Sequence, residues 1–290
     1  MIGIRGVASA GAAVLALVLV LGPRDPDPST ALAAEGLIRA RAAAASAALD
    51  ALRTAVQPGL DAARGAAAAV LSGDEAPSAR IEAAAELIAD AERLVAPARA
   101  AAASFAVARV TWRPDAVPIP DLIAAGELAS IGAQLAAAGP ATDEFAELRA
   151  RATGLAGVLE RAVLALDRGD TDEAEALTSA ARADHDALVA WDTDLPTLPV
   201  WIGTTDAMIG AVEGILVATD AGDAAAAGEA AAAFAAVSAD AATADRALRI
   251  ALGEGGASLT AAPLERLATA VRVIEAARAS VSAEIEAADR

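Results

Sequence analysis

Residues 264–288 read LERLATAVRVIEAARASVSAEIEAA, and this stretch decides the fold class. Leu264, Leu267, Val271, Ile274, Val281 and Ile285 recur at the spacing that places side chains on one face of an α-helix. Arg272, Glu275 and Arg278 stand three apart on another face, where opposite charges can pair.

The same pattern extends back through the chain. Ile81, Ala84, Ile88, Ala91, Val95, Ala98 and Phe105 form a second apolar stripe, with Glu82, Glu86, Asp90 and Arg93 turned away from it. Leu37/Ile38, Ala42, Ala45, Leu49, Leu52 and Val56 form a third. No run alternates with period two, so strands are not expected. Of the 290 residues, 56% are hydrophobic and only 2% aromatic, because alanine supplies most of the apolar count. Alanine loses no side-chain entropy in a helix, yet buries little area, so helices built from it must approach closely. The fold class is all-α: an antiparallel multi-helix bundle of about 7–8 helices, behind an N-terminal hydrophobic helix.

Punctuation divides the chain. Ser29 and Thr30 are candidate N-caps, and Pro58-Gly59 is expected to kink or divide the first helix, which stops at Ser72-Gly73-Asp74. A second helix runs from Pro77-Ser78 to Trp112, followed by a loop with three prolines over 114–120. Further helices are expected at 121–138, 142–168, 171–191, 202–220, 224–252 and 261–288. Gly139-Pro140 marks a division of the body, residues 31–290, into two sub-bundles. An offset of 53 aligns Gly157, Glu160, Asp167, Gly169, Asp170 and Ala174 with Gly210, Glu213, Asp220, Gly222, Asp223 and Ala227. The shared element is a helical hairpin, in which glycine takes the left-handed position ending one helix and aspartate caps the next.

Residues 7–21, VASAGAAVLALVLVL, carry no charge; Arg5 precedes them and a Pro/Asp spacer, residues 23–30, follows. Residues 1–22 therefore read as a signal peptide or a retained signal-anchor. A helix over 6–22 would rise about 25 Å against a hydrocarbon core of roughly 30 Å. The cleavage pattern Ala31-Leu32-Ala33 lies ten residues past Leu21, which favours retention. The expected address is the cell membrane, N-terminus cytoplasmic and body extracytoplasmic, or secreted if the segment is removed. Membrane contact is expected through residues 2–22 only, because the other apolar run, 207–218, is short and contains Glu213.

Arginine supplies all 22 basic residues against 40 acidic ones, a net charge of -18. Such a surface repels nucleic acid and anionic head groups. The chain has no cysteine, so no lipoprotein anchor is expected.

Candidate chemistry is sparse. His185, the sole histidine, has Ala181, Arg182, Leu188 and Val189 at the positions a helical metal site would use. Asp184, Asp186, Asp192 and Asp194 lack calcium-loop spacing and read as an acidic solvated helix end. Glu213 and its counterpart Glu160 read as solvent-facing carboxylates. No nucleophile elbow, phosphate loop or dinucleotide fingerprint occurs. No catalytic residue, cofactor or metal is expected. Trp112, Trp191 and Trp201 stand at helix ends beside proline-containing loops. They either plug the ends of an alanine-packed bundle or rim a site for a partner or apolar ligand. The expected function is a non-catalytic structural or protein-interaction module of the cell envelope. The alternative is a ligand-binding or sensory module with a pocket between helices. The partner is then another envelope protein or a small ligand.

Overall fold

A computed structural model of the chain describes residues 28–72, 77–112, 119–191 and 194–288. Among them the chain is a helical bundle without strands. The hydrophobic segment 7–21, most of the spacer, Gly73-Asp74 and the loop 114–118 lie outside the described residues.

The helices are α1 (Pro28–Ser72), α2 (Pro77–Glu92), α3 (Val95–Trp112), α4 (Leu128–Asp167), α5 (Thr171–Val189), α6 (Thr197–Asp220) and α7 (Ala224–Ala288); a 3-10 turn, Ala124–Glu127, leads into α4. The stripes predicted from periodicity form the interior. Ala42, Ala45, Leu49, Leu52 and Val56 of α1 are buried, as are Ile81, Ile88, Phe105, Leu267, Val271, Ile274 and Val281. Leu37 is 43% exposed, and its neighbour Ile38 packs against the core instead.

Helix boundaries differ from expectation at several prolines and glycines. Helix α1 begins at Pro28, whose fixed φ suits a first turn, so Ser29 and Thr30 are helical rather than capping. It then runs through Pro58-Gly59. A Cβ at Gly59 would stand 2.8 Å from Ile88 Cγ1, so this glycine lets α2 approach α1. Helix α4 passes unbroken through Gly139-Pro140, where the buried Thr142 hydroxyl donates to the Gly139 carbonyl at 2.6 Å. One residue on, Asp143 Oδ1 accepts from the Ser78 amide at 3.0 Å and caps the start of α2. Conversely, the single helix expected over 77–112 is two, separated at Arg93-Leu94. Pro97 accounts for this: its ring clashes with the carbonyl four residues earlier, that of Arg93.

The largest departure is α7, one helix of 65 residues, about 98 Å long at the standard rise, where two were expected. Its Gly253-Glu254-Gly255-Gly256 segment marks a close crossing. A Cβ at Gly255 would lie 2.8 Å from Phe145 Cε1, and one at Gly256 2.6 Å from Val70 Cγ1. The C-terminal end of α1 and the middle of α4 press on α7 there, and only glycine leaves room.

Buried apolar residues fall into two clusters. The first draws on α1, α2, α3, the start of α4 and the C-terminal part of α7. The second draws on Leu148–Leu159 of α4, on α5 and α6, and on Ala244–Leu252 of α7. Helices α4 and α7 belong to both. Charge pairs add register between α1 and α7: Arg53 meets Glu275 at 3.2 Å, and Arg278 meets Asp50. Glu275 and Arg278 thus pair across to α1 rather than with each other.

Both hairpin turns have the geometry their sequences imply. Gly169 and Gly222 take φ of +77° and +69°. The amides of Asp170 and Asp223 reach back to the carbonyls of Ala165 and Ala218, each at 2.9 Å. Asp170 Oδ1 then accepts from the Glu173 amide, and Asp223 Oδ1 from those of Ala225 and Ala226.

Candidate functional site: an apolar cleft in the second helical cluster

Helices α4, α6 and α7 leave between them a cleft of about 380 Å³. It follows from side-chain size along three helix faces. On α7 the lining residues Phe234, Ser238, Ala241 and Asp245 recur at helical steps, and alanine on that face leaves space a leucine would fill. Trp201, Thr205 and Met208 line it from α6; Leu159, Glu160, Val163 and Leu164 line it from α4. Trp201 and Thr205 are buried, whereas Leu164 is 50% exposed at the edge.

The polar groups of the cleft are mostly acceptors. Asp245 Oδ2 accepts from Arg249 Nε at 2.7 Å, while its buried Oδ1 has no hydrogen-bond partner. Glu160 is exposed and forms no ion pair among the described residues. The Ser238 hydroxyl donates to the Ala235 carbonyl at 2.8 Å. No arginine is among the lining residues.

The tryptophans separate. Trp201 is 2% exposed in the second core and forms part of the cleft wall. Trp191 packs against the same core from the loop after α5, with the Arg151 guanidinium 5.3 Å from its ring centroid. Trp112 is the last residue of α3, and its side chain lies outside the described set. Phe234, Met208, Ser238 and Asp245 were not singled out from the sequence. Their signal was available: in an alanine-rich helix, 234, 238, 241 and 245 share one face that carries an aromatic ring, a hydroxyl and a carboxylate.

Glu213 has a different environment from Glu160. Arg182 of α5 holds both its oxygens, at 3.1 and 2.9 Å, and also pairs with Asp206, two turns earlier on the same face of α6. The hydrogen bonds to Glu213, opposed in part by desolvation, hold the Arg182 guanidinium still more firmly protonated than usual. Glu213 is therefore half-buried and neutralised rather than simply solvated.

His185 is 4% exposed, whereas Asp184, Asp186 and Asp194 around it are exposed and Asp192 lies outside the described residues. Its Nε2 lies 3.2 Å from the Ile202 carbonyl, an acceptor, so Nε2 carries the proton. Nδ1 is buried without a hydrogen bond, 3.5 Å from Asp186 Oδ1. Among the described residues no three His, Asp or Glu side chains gather as a metal-binding group.

Helix α6 is longer than the run 207–218 suggested. Among the described residues it alone is long and apolar enough to cross a membrane, with a mean hydropathy of 1.4 and 22% of that window buried. Its inward face is used in packing, through Leu198, Trp201, Ile209 and Val212, while Val200 and Val217 are 61% and 71% exposed. No family model, curated protein or solved structure matches the chain.

Proposed function

We propose that the chain is a non-catalytic binding module of the cell envelope that holds a small apolar ligand in the cleft between α4, α6 and α7. In this reading residues 1–22 export or tether the body, and the helices form an antiparallel bundle of about 7–8, divided near 139–140 into two sub-bundles. The observation that carries the proposal is the cleft. An opening of about 380 Å³ has the volume of about a dozen waters, and its wall concentrates Trp201, Phe234 and Met208 in a chain with only three tryptophans, three phenylalanines and two methionines.

The test is a titration of the full chain with 2-phenylethanol, followed by tryptophan emission. Saturable change, abolished by Ala242→Phe at the cleft wall, is the expected result. No saturable change in the parent chain would refute ligand binding. For the address, fractionation should find the chain in membranes with its body open to added protease; recovery from the cytosol would refute export.

A second reading, a structural or protein-interaction module, is favoured by the outward apolar residues Val200 and Val217 of α6. Crosslinking followed by co-purification from membranes separates the two. A specific partner lost on Val217→Glu would favour the interaction module.

A further inference from the structure

The cleft described above is apolar in its wall and acidic in its polar groups, and from this combination we infer the chemical class of its ligand: a small organic cation, an apolar body carrying one ammonium. The inference rests on the ligand-binding reading and adds charge and hydrogen-bond sense to it.

Three observations carry it. First, the titratable groups of the lining are both carboxylates, Glu160 and Asp245. Second, neither carboxylate is fully used by the protein. Asp245 is ion-paired through Oδ2 with Arg249 at 2.7 Å, and its Oδ1 accepts no hydrogen bond. A buried acceptor without a donor costs free energy, and a ligand N–H supplies the missing donor. The carboxylate torsion of aspartate is broad, so a small rotation presents this oxygen to a bound group. Glu160 forms no ion pair among the described residues, in contrast to Glu213, whose charge Arg182 takes up. Third, the wall includes Trp201 and Phe234, whose ring faces attract ammonium groups as well as apolar ones.

Alternatives of the same size fit less well. An anionic ligand would meet the unpaired charge of Glu160, with no lining arginine and the nearby Arg249 already held by Asp245. A neutral apolar ligand would fill the volume but leave Asp245 Oδ1 without a donor. The net charge of -18 also draws cations rather than anions to the surface around the mouth.

The experiment compares three probes with one aromatic body. The full chain in neutral-lipid nanodiscs is titrated calorimetrically with 2-phenylethylammonium, 2-phenylethanol and phenylacetate, with chain-free nanodiscs as the blank. The ammonium should bind about tenfold tighter than the alcohol, and phenylacetate more weakly than either. Glu160→Gln and Asp245→Asn should each narrow the ratio of ammonium to alcohol affinity towards one. Glu160 is exposed, so its variant reports on charge even if Asp245→Asn disturbs folding. Equal binding of ammonium and alcohol, or preference for phenylacetate, would overturn the cation inference while leaving a ligand-binding cleft. Failure of all three to bind would overturn the cleft reading itself.

Discussion

The close crossing of α7 over α1 and α4 gives the sharpest quantitative test of how this alanine-rich chain is held together. Replacing a helical glycine by alanine ordinarily stabilises a helix by about 1 kcal/mol, because glycine loses more backbone freedom on folding. Gly154 of α4 should show that gain unopposed, since a Cβ there would meet nothing within 4 Å. At Gly256 the same methyl would stand 2.6 Å from Val70 Cγ1. Carbon atoms in contact sit about 3.5–4.0 Å apart, so the helices must separate by about 1 Å or Val70 must leave its rotamer. Val70 is 6% exposed and β-branched, and its χ1 in a helix is strongly restricted. Overpacking of this kind costs about 1–3 kcal/mol, which cancels or outweighs the propensity gain. Gly256→Ala should therefore be less stable than Gly154→Ala by about 1–3 kcal/mol in urea unfolding followed by circular dichroism. A second cycle checks the cause. Val70→Ala should be less damaging in the Gly256→Ala background than in the parent, because it removes the clashing methyl. If Gly256→Ala stabilises as much as Gly154→Ala, the close crossing is not there.

Three further changes probe other parts of the argument. Asp170→Ala and Asp223→Ala should each lower stability by about 1 kcal/mol through loss of an N-cap, read as parallel shifts in thermal melts. Glu284→Gln removes the charge facing the buried Arg109 guanidinium at 3.4 Å. It should cost about 2–3 kcal/mol, somewhat below a fully enclosed pair because Glu284 is 21% exposed; denaturant midpoints at constant slope would show it. Arg182→Ala should cost no more than about 1 kcal/mol, since its side chain is 31% exposed, and the difference from the parent should shrink in high salt.

What could be read from the sequence followed the physics of each signal. Periodicity found the buried faces of α1, α2, α3 and α7, because apolar side chains at helical steps gather on one face and pack against neighbouring helices. The turns at Gly169 and Gly222 were equally plain, since glycine before aspartate satisfies two helix ends at once. Proline and glycine inside helices misled. Their local cost is real, but Pro58, Pro140 and the glycines at 253, 255 and 256 sit where tertiary packing offsets it, and no local rule contains that information. Pro97 acted locally, and there the helix does divide. The cleft could not be read directly. It is a space left by small residues on three helices distant in sequence, and only Trp201 and Glu160 had drawn notice for other reasons.

The comparison of Glu160 with Glu213 ties the fold to the site. The two occupy matching positions before the two glycine–aspartate turns, so their local helix context is the same. Their surroundings differ because the helices packed alongside differ. Helix α5 presents Arg182 to Glu213 and fixes its charge within the protein. Glu160 borders a cleft formed with α6 and α7, where Phe234 and Ser238 line the wall and position 235, 53 residues past Arg182, is alanine. An equivalent carboxylate is thus left available at one site and consumed at the other. Introducing arginine at Ala235 asks whether that difference can be reversed. If the new side chain reaches Glu160, the cleft loses its open carboxylate, and binding of 2-phenylethylammonium should fall towards that of 2-phenylethanol. Unchanged discrimination between the two probes with the new arginine paired to Glu160 would mean that Glu160 is not the group selecting for charge.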